Sequence, residues 1–304
     1  MIYAKGIDHG FYNTKDSDYN MFRSAFSRTD SMLSDKSKII INGTTYYFGY
    51  GNTTGDNDKS SSLVNMVSTM AILAMTGDYE YCLVVGLPII QYKSMKDKLR
   101  DSIMQYNGYS IRYQNKEFKA KIKDVTVFAQ GVGALFNIGL EDGEYISLDI
   151  GSYTINVVLV EIINGIPHIK KYDTWFIGIL TLYNKVIKAV NDAEGVTLDT
   201  EDAPRILTKG LLVKGEKRDD GYVKGILEDY LDDVLGRFKQ NYPNYSIIPI
   251  MLSGGGAIMF SKFFTNRFSN SMMLPNSQFA NAIGYGNFAK QKYGYLLEGR
   301  CVNV

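Results

Sequence analysis

Cysteine and histidine are nearly absent from this chain, and each scarcity closes off a class of chemistry. Two cysteines, Cys82 and Cys301, are too few for a disulfide framework. With no charged-then-apolar leader at residues 1–5, they point to a reducing, cytoplasmic setting. His9 and His168 have no Cys or His at ligand spacing, so a zinc site is not expected. Neither histidine has the Ser and Asp companions of a hydrolytic triad. Excess charge is missing too. A formal net charge of +1 offers no broadly basic surface, so direct nucleic-acid binding is not expected. No apolar run approaches the length that crosses a bilayer, and no terminal basic amphipathic helix would lay the chain on a membrane.

What is present is 304 residues, room for two ordinary domains, with the 45% apolar and 21% charged content of a globular protein. Strand and helix patterns alternate in both halves, which gives the class α/β. Lys38 to Gly49 reads as a hairpin around an Asn42-Gly43 type I′ turn, and 51–62 as a polar surface loop. Helices are expected from about Ser62, over Tyr92 to Tyr106, from Gly178, over Thr200 to Leu207 and from Val223 to Phe238. Strands are expected at Tyr81 to Pro88, within Ile111 to Val127, and over Ile247 to Leu252. A last helix covers Phe279 to Lys290. The acidic turn at Glu141 to Gly143 marks the main boundary. The expected units are therefore 1–143 plus about 279–304, and 144–278.

One stretch organises the rest. Tyr145 to Glu161 reads as strand, tight turn, strand, with Asp149, Gly151, Ser152, Tyr153 and Thr154 at the turn. A strand end holds the carboxylate still, while glycine lets backbone N–H groups approach an anion. A carboxylate beside a phosphate cradle suits Mg²⁺. Taken alone, an ordinary hairpin whose Asp and Gly merely make the turn is the better explanation. The N-terminus carries a second copy, however: Lys5-Gly-Ile-Asp-His-Gly-Phe-Tyr-Asn-Thr-Lys15, a short strand and then Asp8-x-Gly10. Asp16 to Tyr19 is too polar to predict a confident return strand. A third element is Gly254-Gly255-Gly256, between an apolar strand and a helix, where bare backbone can pass beneath a sugar or base.

Two Asp-x-Gly hairpins followed by a strand–glycine–helix junction, in that order, resemble the phosphate and adenosine motifs of the actin, sugar-kinase and Hsp70 superfamily. The resemblance implies a duplicated actin-like (ribonuclease H-like) fold with a nucleotide cleft between two domains. It implies ATP or GTP with Mg²⁺, the metal held near Asp8 and Asp149 through water. Nucleotide contacts would come from Gly10, Asn13, Lys15, residues 151–154, Gly178, Lys209 and the three glycines. Gln130, in Phe128-Ala-Gln-Gly-Val132, resembles the position where actins carry a glutamine that orients the attacking water; a helix cap is the plainer alternative. Phe279-Ala-Asn-Ala-Ile-Gly-Tyr-Gly286 resembles the family's second connecting motif at the hinge. Phe11 and Tyr12 stand where small hydroxyl residues are usual, and Asn156 where many relatives have a second aspartate.

Within the superfamily, no base follows the first motif as a sugar or acid kinase requires. No chain is left for an Hsp70-type peptide-binding domain. Val84-Val-Gly-Leu-Pro88, the Asp-x-Gly-x-x-Asn-x-Lys pattern at 8–15 and the compact second half most resemble bacterial ParM-type plasmid-segregating actins. That implies a helical filament of the chain with itself and a small ParR-type DNA-binding adaptor on a plasmid centromere. The alternatives are a small-molecule kinase and a non-segregating bacterial or phage cytoskeletal filament.

Overall fold

The computed structural model describes residues 2–29, 35–51 and 62–297. Two five-stranded sheets share one plan. In the first, Ile2–His9 pairs antiparallel with Asn13–Asp16, which pairs with Met21–Arg23. On its other side it runs parallel to Glu80–Leu87, followed by Lys121–Ala129. In the second, Gly143–Ile150 pairs antiparallel with Ile155–Ile163 and then Ile166–Trp175. Its other side carries the parallel strands Ile250–Ser253 and Ser271–Met273. The same strand order is laid down twice, as a duplicated α/β fold requires.

Parallel neighbours need crossovers, and helices supply them. The described α-helices are α1 (Leu63–Thr76), α2 (Ile89–Met104), α3 (Ile179–Glu194), α4 (Ala203–Lys209), α5 (Gly221–Asn241), α6 (Gly255–Arg267) and α7 (Ala280–Leu297). Strand alternation feeds two cores around the first sheet. Ile7, Leu83 and Val85 face the core that holds α1, while Ala4, Cys82 and Val84 face Tyr285, Ala289 and Tyr293 of α7. The chain's last helix thus packs on its first sheet. A third sheet, built from Phe26–Ser27, Thr44–Phe48, Lys38–Ile41, Ser110–Tyr113 and Lys116–Lys119, stands beside it. Its Asn42-Gly43 turn has positive φ at both residues, as a type I′ turn demands.

The structure corrects several boundaries. A return strand after Asp8 does form, but earlier, at Asn13–Asp16; residues 17–19 are turn and bend, as their polarity suggested, and a third strand, Met21–Arg23, follows. The return strand's polar residues are satisfied internally: buried Lys5 lies 2.9 Å from Asp16 and 2.6 Å from Asp18, and donates to Thr76 Oγ1 at 2.9 Å. The strand expected from Ile247 starts at Ile250, because Pro243–Ser246 winds into a 3-10 turn first. The Thr200 to Leu207 helix is a 3-10 turn, Thr200–Asp202, that passes into α4 where Pro204 sits in the first turn. Ser271–Met273 was not anticipated; three residues carry too little periodicity to register. Most of the 51–62 loop (residues 52–61) and Cys301 lie outside the described residues.

Candidate active site

The two Asp-x-Gly turns sit at the carboxyl ends of the central strands and face one cleft of about 960 Å³. Asp8 and Asp149 are both buried and both line it. Each turn is tight for the same reason. A Cβ on Gly151 would lie 2.9 Å from the carbonyl oxygen of Thr154, and one on Gly10 would strike that of Asn13. Only glycine allows the chain to fold back so closely.

The start of α3 braces the second turn. The N–H groups of Gly178, Ile179 and Leu180 donate to the carbonyls of Tyr153, Gly151 and Ser152 at 2.9–3.0 Å. These orphan helix donors are therefore spent on the turn. Gly178 itself does not line the cleft: a side chain there would strike Tyr153 and Ser152, so its glycine seats the helix beneath the turn. Gly254 has φ +90°, and a Cβ on it would collide with Ile150 and with the Asp149 carboxylate. Gly256 is pressed against Ile150 in the same way, whereas Gly255 has open space beside it. Two of the three glycines thus dock α6 on the second turn, and all three line the cleft.

Gly10, Asn13, Lys15, Ser152, Tyr153 and Thr154 also line the cleft. Lys209 does not. It closes α4, whose start at Pro204 touches the cleft, and the helix carries it into a separate pocket with Lys217 and Asp220. Phe11 reaches across to Tyr153, ring centroids 5.0 Å apart, so the aromatic tips of the two turns meet. At the cleft mouth Arg23 and Glu201, both exposed, form an ion pair at 3.3 Å.

Each carboxylate receives one amide. Gln130 Nε2 donates to Asp8 at 2.9 Å, and Asn281 Nδ2 donates to Asp149 at 2.9 Å. Gln130 sits just after the strand Lys121–Ala129, pinned by its N–H on the Leu87 carbonyl, and its side chain lines the cleft. Burial pushes the Asp149 carboxyl above its usual range and the nearby charge of Asp8 adds to this; the Asn281 hydrogen bond and the Lys15 charge oppose it. Two buried carboxylates facing one cleft suit a divalent cation. Among the described residues no group of three or more His, Cys, Asp or Glu could hold a metal alone. Phosphate oxygens and water would complete the shell, as is usual for Mg²⁺.

Sequence reading missed Asn281, although it lies within the motif taken for a hinge. A lone amide between alanines, in Phe279-Ala-Asn-Ala282, was the available signal.

The amino-terminal part, residues 6–133, matches the family model for the N-terminal domain of actin-like proteins. Residues 147–266 match that for the C-terminal domain of the archaeal, MreB-like actin homologue. The two matches together span most of the chain, and it is an actin-like protein. Solved structures agree on the fold. A 15-stranded ParM filament from Clostridium botulinum superposes with a TM-score of 0.78 at 21% identity, over 95% of this chain and 99% of that one. The Alp12 filament gives 0.73 at 20%, covering 96% and 99%. The archaeal actin homologue Ta0583 in complex with ADP gives 0.76 at 18%, covering 95% and 99%. Among curated proteins none matches. No helix of the described residues is long and apolar enough to cross a membrane.

Proposed function

We propose that this actin-like protein binds ATP or GTP with Mg²⁺ in the cleft, polymerises in that state, and hydrolyses the nucleotide to release the polymer. The observation that carries the reading is the pair of Asp-x-Gly turns facing one cleft, each with its carboxylate buried. The N–H groups of the turns would cradle phosphates, with Lys15 as a nearby point charge. Asp8 and Asp149 would hold the magnesium, which supplies charge neutralisation for the phosphates. Gln130, too weak a base to take a proton, would orient the attacking water, and positioning is what phosphoryl transfer chiefly needs. The sugar or base would lie over Gly254 to Gly256.

The halves, 1–143 plus about 279–304 and 144–278, would close on the nucleotide and so favour a conformation that adds head to tail. Such contacts do not close on themselves and generate a helical filament. Two of the solved relatives are filaments and one holds ADP, which supports both parts of the reading. As the biological role we propose plasmid segregation in the cytoplasm. A small DNA-binding adaptor on a centromere would engage filament ends, leaving the near-neutral chain itself off the DNA.

Right-angle light scattering with Mg²⁺ and ATP, a slowly hydrolysed analogue, ADP or no nucleotide tests this, with phosphate release followed in parallel. The expected result is a concentration-dependent rise with ATP, sustained by the analogue and decaying as phosphate appears. Flat scattering at every concentration, with ATP turnover that depends on a small-molecule acceptor, would instead establish a kinase.

A further inference from the structure

We propose that Asn281 is a positioning residue that locks the Asp149 carboxylate to the Gln130 segment, so that metal-dependent nucleotide binding depends on it. The inference rests on the nucleotide reading above and adds a residue to it. Asn281 is buried, and its amide is used at both ends. The oxygen accepts from the backbone N–H of Gly131 and of Ala134, each at 3.1 Å. The nitrogen donates to Asp149 Oδ2 at 2.9 Å. This orientation of the amide is the one the surroundings permit. Turned over, its N–H₂ would face two N–H donors and its oxygen would face a carboxylate.

The consequence is a continuous path between the two turns. Asp8 is held by the Gln130 amide, the next residue's N–H is held by Asn281, and Asn281 holds Asp149. Ser147 Oγ donates to the Gly131 carbonyl at 2.7 Å, which pins the same segment to the second central strand. The helix that carries Asn281 is held in place as well. One turn further along α7, buried Tyr285 is wedged against Gly86 and Gly133, where added Cβ atoms would collide with its ring. A carboxylate that must meet a metal benefits from one fixed rotamer, because ordering it on binding would cost affinity.

A double-mutant cycle on nucleotide affinity separates positioning from mere structural support. Binding of fluorescent ATP is measured with Mg²⁺ and with EDTA for wild type, Asn281→Ala, Asp149→Asn and the double variant, each first confirmed folded by its thermal melt. Asn281→Ala is expected to weaken Mg²⁺-dependent binding about tenfold or more (about 1.4 kcal/mol). It should change binding in EDTA less than about twofold, and cost less than about twofold once Asp149 is already Asn. Equal losses with and without metal, or full multiplicativity of the two substitutions, would overturn the proposal. Should Asn281→Ala not fold, Asn281→Ser goes through the same cycle, since one hydroxyl cannot span both contacts. A wild type that binds no nucleotide overturns the proposed function itself, and this inference with it.

Discussion

The first and second turns have nearly the same backbone and different foundations. Register makes the comparison residue by residue. Asp8 pairs with Lys15 where Asp149 pairs with Asn156, and Ile7 pairs with Asp16 where Leu148 pairs with Val157. Both turns close over four residues, and both need their glycine for a close approach to the carbonyl three residues on. Beneath the second turn lie Ile146 and Val157, fully buried apolar side chains. In the matching places beneath the first lie Lys5 and Asp16, equally buried and 2.9 Å apart. Two chemistries thus support one geometry, by packing in one half and by a compensated ion pair in the other. The difference matters because buried charge tolerates the loss of one partner poorly.

The largest expected effect comes from breaking that foundation. Lys5→Met leaves Asp16 buried without its cation and is expected to cost about 3–5 kcal/mol in a urea melt. Adding Asp16→Val, which copies the second half, should recover at least half of the loss. No recovery would mean that the two foundations are not equivalent.

Next come the carboxylates themselves. Asp149→Ala should weaken Mg²⁺-nucleotide binding about 100-fold, or about 2.7 kcal/mol, by calorimetry, and Asp8→Ala should weaken it as well. A normal affinity for either variant would show that its turn does not serve the metal. A smaller effect is expected from Gln130→Ala. Phosphate release should fall about tenfold or more, and by more than affinity does, because orienting water acts on turnover while loss of the Asp8 contact weakens binding as well. Filaments of this variant should persist longer in the scattering trace.

The smallest effect is on pH dependence without nucleotide. The Asp149 carboxyl is raised in the folded state, so the folded protein holds that proton more tightly than the unfolded chain does. Its contribution to stability is complete below the ordinary carboxylate range and is lost as pH rises through the raised value. The melting temperature should therefore carry a component that falls with rising pH over that window, and Asp149→Asn should remove it. The same variant should be slightly more stable near neutral pH while losing metal-dependent binding, the exchange expected where a site is strained for function.

The comparison also explains what could be read in advance. The second hairpin was plain because its strands alternate apolar residues around a turn. The first was half hidden, because Asp16 opens a polar run that reads as surface, and its carboxylate is interior only with Lys5 beside it. Asn281 was hidden for a related reason. Its three partners, Gly131, Ala134 and Asp149, lie 132 to 150 residues away in the chain. Gly178 and Lys209 were expected at the cleft from the family resemblance, but neither lines it. One is buried under a turn, and the other is carried off by its helix.

By itself the sequence determined the duplicated α/β plan, the two Asp-x-Gly turns and the glycine junction. These rest on local chemistry: alternation makes strands, and only glycine fits where backbone meets backbone. Tertiary structure alone decided which buried charges are compensated, which amide faces which carboxylate, and which glycines serve packing rather than ligand. Those are contacts between residues far apart in the chain, and their free energy exists only after the strands and helices have met.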